Sequence, residues 1–443
     1  MRQPSVTGRG ITLATVALAA GMGWAVAVYP RRTVEGVAAF IIAAFAAWLG
    51  PVTVVVLAAL FRFPLSVTMG PAGNDLFLVL AVPVAVAGFV GNGASRVTAA
   101  CIALLGVLFT YTLVGIDRSI GVATSLYSLA YYGLPLLFLG VGLAWGRWSR
   151  ERTQLRHLVV AVALISACAV FFEAAGHAVA LYSQLGFTTA TGQIAPSYLT
   201  NVFGHLVVRN TGIFINPDFS GSLLALGAIW AVSDPTWGRA ARWTLFLALS
   251  VAMVLTYARS GIFEEAVGLA YWVRATRGRI VGATFLAVLG MSVLGASLGP
   301  SFLALNNGSA QYHIASLVQG ARLFLEYPLG AGLGSTGIAG NSTLLASTVG
   351  GVQHYLVGSE TGWLQYLDQI GIGGLAVLGV FLWVVFDGLR GIASHASRAA
   401  IAGLLMWAVC LIFLPGVNQV EFTAAVWVAV GMGLGVRAPT SST

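Results

Sequence analysis

Long apolar runs recur along almost the whole chain, and short connections containing arginine separate them. Most of these runs are about 15–20 residues long or longer, which is the length that an α-helix needs to cross a bilayer. An outer-membrane barrel would show alternating segments of about ten residues instead. Hydrophobic residues make up 58% of the 443 residues and charged residues 8%. The sequence therefore predicts an all-α, polytopic transmembrane protein with about 12–14 spans.

The predicted spans fall into three regions: N-terminal transmembrane helices (1–204), a central region (205–390) and C-terminal transmembrane helices (391–443). The run 34–61 is either one long helix or two short helices broken at Gly50-Pro51. A large loop, 299–361, interrupts the central region. The predicted spans are 11–29, 34–61, 75–91, 98–115, 125–145, 157–180, 218–233, 243–257, 260–273, 280–298, 362–387, 399–414 and 420–436.

The arginines predict the orientation of the chain in the membrane. The sequence has no lysine, and its 22 basic residues give a net charge of +8. Arginine clusters at 147–156, 274–279 and 390–398 mark the cytoplasmic side by the positive-inside tendency. Counting helices from these clusters places 181–217, the turn near 258–260, the loop 299–361 and the segment 415–419 outside. This count leaves four arginines outside: Arg118, Arg209, Arg259 and Arg322.

Two of these external arginines stand in short polar motifs. Arg209 opens the segment 209–218, which ends in the helix-starting residues Asn216-Pro217-Asp218. Arg259 lies between two apolar runs, in Thr-Tyr-Ala-Arg-Ser-Gly (256–261). Each arginine can contact lipid headgroups, and Arg259 can also pair with Glu265. Isolated external arginines run against the positive-inside tendency, and a guanidinium is well suited to bind phosphate. We therefore expect these arginines to bind an anionic ligand.

The loop 299–361 carries the other candidates. Around Arg322 the sequence predicts a short helix broken by Pro328, followed by alternating glycines that would let the backbone approach a ligand. No Gly-Lys-Ser/Thr follows these glycines, so the segment is not a P-loop and no ATP site is expected. Glu360 precedes the next helix, where it is either a cap or an ionised general base. His354 is either an interfacial histidine or the competing base.

Four of these motifs, in this order, resemble the bacterial O-antigen ligase and O-antigen polymerase family of membrane glycosyltransferases. The resemblance covers roughly residues 205–390. The similar motifs are Arg-x-Thr-Gly-x-Phe-x-Asn-Pro (209–217), Thr-x-x-Arg-Ser-Gly (256–261), Arg-x-x-x-x-x-Pro-Leu-Gly-x-Gly-x-Gly (322–334) and Glu-x-x-Trp-Leu-Gln-x-Leu-x-x-x-Gly-Ile-x-Gly (360–374).

The resemblance implies a GT-C-like fold in the bacterial inner membrane, with a metal-independent active site that faces the periplasm. The family transfers a glycan from an undecaprenyl-diphosphate carrier to an acceptor hydroxyl, with no cofactor and no nucleotide sugar. The implied partners are this donor, the glycan acceptor, the lipid bilayer and a chain-length regulator, and they include no nucleic acid.

The resemblance also implies roles for particular residues. Arg209 and Arg259 would bind the diphosphate and stabilise the charge that develops on the leaving group. Arg322 would be a third phosphate or glycan contact, and Asn216 would belong to the substrate-binding set. A base, Glu360 or His354, would deprotonate the acceptor hydroxyl for direct displacement with inversion.

One departure from the family pattern affects the expected activity. Ligases of this family typically carry a His-Asn pair just before the closing helix, where this chain has Ser359-Glu360. The departure favours a repeat-unit polymerase over a ligase, and it favours Glu360 over His354 as the base. The alternatives are a ligase that transfers finished glycan to a lipid or protein, and a transporter or flippase. Transporters tend to have repeated halves with polar residues near the midplane, whereas here the polar motifs collect at one membrane face.

Overall fold

The computed structural model describes most of the helical core. The residues that it describes are 51–62, 71–92, 95–145, 152–177, 199–202, 205–214, 216–277, 308–336, 348–349, 352–353, 361–392, 395–414 and 419–435. These residues are helical apart from turns and two short antiparallel hairpins, which confirms the all-α prediction. The predicted spans 11–29 and 280–298, the first part of 34–61, and the candidate bases His354 and Glu360 lie outside the described residues.

The described helices follow the predicted apolar runs except Gly308–Glu326, which lies within the predicted loop 299–361, where only a short helix around Arg322 was expected. They are α1 (Pro51–Leu60), α2 (Pro71–Asn92), α3 (Arg96–Asp117), α4 (Val122–Tyr132), α5 (Leu134–Trp145), α6 (Arg152–Phe172, continued by a π-turn over Glu173–His177), α7 (Pro217–Ser233), α8 (Arg239–Leu255), α9 (Arg259–Arg277), α10 (Gly308–Glu326), α11 (Gly362–Arg390), α12 (His395–Phe413) and α13 (Val420–Leu434). The hairpins are β1 (Leu199–Val202) with β2 (His205–Val208), in the register Leu199↔Val208, and β3 (Thr348–Val349) with β4 (Val352–Gln353).

Several described helices have the length and composition of membrane spans. Arg96–Asp117, Leu155–His177 and Gly362–Arg390 are each long and apolar enough to cross a membrane. The run 125–145, predicted as one span, is instead the pair α4 and α5, bent by 45°. The break follows from Pro135, which lacks a backbone N–H and disfavours helical geometry at the preceding residue. Counted as one broken span, the pair is a fourth candidate.

The centre of the bundle is made by helices that are buried on nearly every side, chiefly α5, α7 and α13. Small residues let their backbones come close: a Cβ on Gly142 would lie 2.2 Å from the Val428 carbonyl oxygen, and one on Gly431 would lie 2.2 Å from that of Leu139. Such contacts are typical of helix packing in lipid, where apolar side chains gain little by leaving the bilayer. The outer helix α3 accordingly exposes apolar side chains such as Ile102 and Phe109.

Side-chain and backbone contacts show which helix ends meet. The amide of Gly362 donates to the Leu414 carbonyl, so the start of α11 meets the end of α12. The end of α6, the start of α7, the end of α8 and the start of α9 meet one another through the segment 209–211, described below. At the opposite end of the bundle, Arg156 lies 3.6 Å from Asp234, and Trp230 donates to the Ala399 carbonyl. Arg156, Arg274 and Arg390 of the predicted cytoplasmic clusters therefore lie at the opposite end of the bundle from Arg209 and Arg259.

Candidate functional site

Arg209 lies where three elements meet at the predicted external end of the bundle. Its Nη2 atom is 2.5 Å from Asp218 Oδ1, at the first turn of α7, and its Nε donates to the Thr256 carbonyl at the end of α8. The Arg209 and Asp218 side chains are 16% and 24% exposed, so the ion pair borders solvent or headgroups rather than the apolar core. We call Arg209, Asp218 and Arg259 the arginine corner.

Arg259 is the second cation of this corner. It is the first residue of α9 and precedes the predicted span 260–273, and burial lowers its pKa. The positive charge of Arg209 lowers that pKa further, whereas Asp218 raises it. Because a guanidinium remains protonated under such shifts, two cations and one carboxylate share the corner. The structure thus brings together two arginines from motifs that are widely separated in the sequence.

The turn that carries Arg259 has an uncommon backbone. Tyr257 has φ 53°, in the left-handed region that non-glycine residues seldom adopt. Thr256 supports the turn from both sides, because its Oγ1 donates to the Met253 carbonyl and accepts from the Ala258 amide. These bonds fix the short connection between α8 and α9, so Arg259 enters its helix at a defined position.

The segment that carries Arg209 is tied to α6 and α8. Asn210 Nδ2 donates to the Leu255 carbonyl at 2.8 Å, and the Thr211 amide donates to Glu173 Oε2 at 2.7 Å. Gly212 follows with φ 58° beside Ser166. Glu173 is buried, so its carboxylate holds the Arg209 segment from inside the bundle.

Asn216 has a structural task in this arrangement. Its side-chain oxygen accepts from the amides of Asp218 and Phe219, which makes it the N-cap of α7, with Pro217 at the first helical position. Asn216 therefore occupies the cap position, and Asp218 lies in the first turn of the helix. Asp218 is thereby left to pair with Arg209. Substrate binding by Asn216 stays a prediction.

Helices α7 and α9 cross in close contact just beneath the arginine corner. A Cβ on Gly221 would lie 2.4 Å from the Ala258 Cβ, and one on Gly261 would lie 3.0 Å from the Gly221 backbone. Below this crossing, Ser222 Oγ donates to the fully buried Glu264 at 2.9 Å. Glu265 accepts from Ser250 on α8 and forms no ion pair with Arg259, so that alternative does not occur.

The glycine-rich segment after Pro328 binds the protein's own backbone. Gly330, Gly332 and Gly334 have φ values of 98°, 98° and 94°, which favour glycine. A Cβ on Gly332 would lie 2.6 Å from the Gly115 amide nitrogen on α3. The expectation that these glycines admit a ligand is therefore corrected: they admit α3 and α11. We call residues 328–334 the glycine loop.

The glycine loop packs against a break in α11 and forms backbone hydrogen bonds with it. Gly371 has φ 63° and ψ −175°, so the amide of Ile372 donates to the Pro328 carbonyl and not to the preceding helical turn. The carbonyls released by the break accept loop amides: Asp368 accepts from Ala331 at 2.8 Å and Gln369 from Gly332 at 3.1 Å. The predicted closing helix is thus two segments whose junction is completed by the loop.

The other arginines of this region have different surroundings. Arg118 donates to the Gly330 carbonyl at 3.1 Å and lies over the Tyr327 ring, so it stabilises the glycine loop. Arg322 is exposed on α10, which packs on α11, and no described residue forms a hydrogen bond or ion pair with it. The structure therefore brings Arg209, Arg259 and Asn216 together and leaves Arg322 apart from them.

Some residues of the corner could not be assigned from the sequence. The sequence placed Asp218 only among the residues that start a helix, and nothing about Glu173 suggested its bond to Thr211. The short spacing between Arg209 and Asp218 was a signal, since a carboxylate close in sequence to an external arginine is a natural ion-pair partner. Within the described ranges, no three His, Cys, Asp or Glu side chains gather as a metal ion would require.

Comparison with protein-family models and with curated proteins gave no match to this chain.

Proposed function

We propose that this protein is a membrane glycosyltransferase that polymerises the repeat units of a surface polysaccharide. Its donor would be an oligosaccharide linked to undecaprenyl diphosphate, and it would act at the outer face of the bacterial inner membrane as a polytopic, GT-C-like enzyme. The observation that carries the proposal is the arginine corner, in which Arg209 pairs with Asp218 and the guanidinium of Arg259 lies close enough to interact electrostatically with both.

The corner has the chemistry that a diphosphate leaving group requires. Two guanidiniums offer forked donors to phosphate oxygens, and the start of α9 places the positive end of a helix dipole at the same point. Donors held in place before the reaction stabilise the negative charge that develops on the leaving oxygen. The bonds from Asp218 and Thr256 to Arg209 supply such positioning.

The proposed reaction is a direct displacement at the anomeric carbon. The acceptor hydroxyl oxygen attacks this carbon as its bond to the diphosphate oxygen breaks, and the electron pair of that bond leaves with the diphosphate. A base, Glu360 or His354, takes the hydroxyl proton, and one attack from the opposite side inverts the configuration. Arg209 and Arg259 hold the departing diphosphate, and Arg322 is a further phosphate or glycan contact.

A transporter or flippase is the second candidate, and buried carboxylates favour it. Glu264, Glu265, Asp368 and Glu421 are all buried within helices of the bundle. Ionisable side chains inside a membrane bundle are often parts of ion or proton paths. The polymerase explains the arginine corner better, because a proton path needs no pair of external guanidiniums.

The deciding experiment is the profile of lipid-linked glycans in a deletion strain of the source bacterium. The strain is complemented with wild type, Arg259→Lys, or the matched control Arg274→Lys at the opposite end of α9. We expect single repeat units to accumulate on undecaprenyl diphosphate at the periplasmic face. Wild type and Arg274→Lys should clear them, whereas Arg259→Lys should form roughly a hundredfold less polymer, since lysine keeps the charge but loses the fork.

Other outcomes would replace the proposal. Long carrier-linked polymer that never reaches its acceptor would identify a ligase. Single units trapped at the cytoplasmic face would identify a flippase. Full polymer formation by Arg259→Lys would remove the phosphate-binding role of the corner.

A further inference from the structure

Asp368 is the buried carboxylate, among the described residues, that has neither a hydrogen-bond partner nor an interacting arginine. Its side chain is fully buried, and neither Oδ1 nor Oδ2 has a hydrogen-bond partner. Four of the others accept a hydrogen bond: Glu173 from Thr211, Glu264 from Ser222, Glu265 from Ser250 and Asp234 from Thr236. The side-chain oxygens of Glu421 also lack hydrogen-bond partners, but its carboxylate interacts with the positive charge of Arg62. An unpartnered buried carboxylate is costly, so its presence needs a reason.

Three polar side chains of this part of the bundle, those of Gln369, Tyr132 and Gln365, are already committed to one another. Gln369 Nε2 donates to the Tyr132 hydroxyl, which in turn donates to Gln365 Oε1 at 3.0 Å. The carbonyls of Asp368 and Gln369 accept from the glycine loop. A bound metal ion would therefore find only one free ligand here. A ligand that supplies donors of its own, such as a hydroxyl group, would find two unused acceptor atoms.

Helix α10 packs over the Asp368 carboxylate, and Gly320 is its residue at the point of contact. A Cβ on Gly320 would lie 3.1 Å from Asp368 Oδ2 and 2.5 Å from Leu364 Cδ2, so α10 lies directly against this part of α11. Away from α11, α10 exposes Leu317, Val318 and Leu325. Separation of α10 from α11 at Gly320 would uncover Asp368 without breaking a hydrogen bond made by its side chain.

We propose that Asp368 is a glycan-binding residue whose carboxylate accepts hydrogen bonds from sugar hydroxyl groups when α10 separates from α11. The inference rests on the proposed function, and it assigns to that function a sugar subsite distinct from the arginine corner. Two neighbouring hydroxyls of one ring can donate to the two oxygens of one carboxylate. Asp368 thus positions the glycan, while the arginines bind the diphosphate.

The test separates sugar binding from diphosphate binding. The probe is the carrier-free repeat-unit oligosaccharide, released by mild acid from the lipid that the deletion strain accumulates. Its dissociation constant is measured on the full-length protein in nanodiscs for wild type, Asp368→Asn, Asp368→Glu and Arg259→Lys. Asp387→Asn, an exposed site on the same helix, is the matched control.

We expect Asp368→Asn to weaken oligosaccharide binding at least tenfold and Asp368→Glu to weaken it less. Arg259→Lys and Asp387→Asn should stay within about twofold of wild type, since the probe has no diphosphate. The melting temperature of Asp368→Asn should not fall, because no hydrogen bond of the side chain is lost. This last readout separates a binding role from a structural one.

Two results would overturn the inference. One is equal binding by wild type and Asp368→Asn, and the other is a loss of binding in Asp368→Asn that follows a lowered melting temperature. A deletion strain that accumulates no lipid-linked units would overturn the proposed function itself. A strain that accumulates them and yields an Asp368→Asn protein with unchanged binding would leave the proposed function intact and remove only the sugar subsite.

Discussion

The arginine corner and the glycine loop are both short motifs at the predicted external end of the bundle, and both suggested a ligand. In the loop, the amides of Ala331, Gly332 and Leu333 donate to carbonyls of α11 or α3. In the corner, Arg209 pairs with the Asp218 carboxylate, and the positive charge of Arg259 interacts with both side chains. The difference teaches that glycine spacing alone does not distinguish a backbone that approaches a ligand from one that approaches another helix.

The largest expected effect comes from a substitution that disrupts the packing of the glycine loop against α11 and leaves the arginine corner unchanged. A Cβ on Gly371 would lie 2.2 Å from the Leu329 carbonyl carbon, and its φ and ψ belong to a region that only glycine adopts readily. We expect Gly371→Ala to destabilise the protein by roughly 2–6 kcal/mol, the sum of overpacking and backbone strain. Thermal unfolding of the detergent-purified protein measures this effect.

Gly373 is the matched control for that substitution, because it is exposed on the same helix and its Cβ would meet no atom within 4 Å. Gly373→Ala should leave the melting temperature unchanged or raise it slightly, as alanine favours the helix. Equal stability of the two variants would show that the glycine loop is not held by the break in α11.

The second prediction sharpens the role of the corner. In Asp218→Asn, Arg209 loses the carboxylate that orients it, while the corner gains one unit of positive charge. We expect kcat to fall roughly tenfold because the phosphate donors are misplaced, whereas the donor KM should not rise because attraction to the diphosphate increases.

Initial rates against lipid-linked donor concentration measure both constants for Asp218→Asn. Asp117→Asn, an exposed carboxylate at the end of α3, is the control and should match wild type. A raised KM with unchanged kcat in Asp218→Asn would mean that Asp218 contacts substrate itself and does not act through Arg209.

The smallest expected effect concerns Arg322, which the sequence grouped with the other two arginines. Because it is exposed on α10, a contact to substrate should be worth roughly 0.2–1 kcal/mol, or about a 1.4-fold to fivefold rise in KM for Arg322→Ala. The same kinetics with Gln319→Ala, an exposed neighbour on α10, provide the control. A loss as large as that of Arg259→Lys would show that Arg322 joins the corner when substrate binds.

The sequence predicted the helices well because their signal is local. The run predicted at 218–233 is the helix Pro217–Ser233, and the run at 362–387 is Gly362–Arg390. The bend between α4 and α5 was missed, although Pro135 was a visible warning. The break at Gly371 could not be predicted, because a glycine in a helical run is ordinarily tolerated and only the loop that packs against it explains its conformation.

The candidate site was only partly predictable. Arg209 and Arg259 were selected because isolated external arginines are uncommon, and this argument needs no tertiary structure. Their proximity, the bond of Arg209 to Asp218 and the anchoring of Thr211 by Glu173 all depend on how α6, α7 and α9 pack. Asp368 lies within the motif 360–374, and its isolation from hydrogen-bond partners appeared only once its neighbours were placed.

By itself, the sequence determined that the chain forms apolar helices and which arginines are expected at each membrane face. The physical reason is that a backbone in lipid must satisfy its hydrogen bonds within its own helix, so helix formation follows from local composition. Only the tertiary structure decided which polar groups meet. Partners such as Tyr132 and Gln369 are 237 positions apart, and helix packing alone determines which distant residues come into hydrogen-bond range.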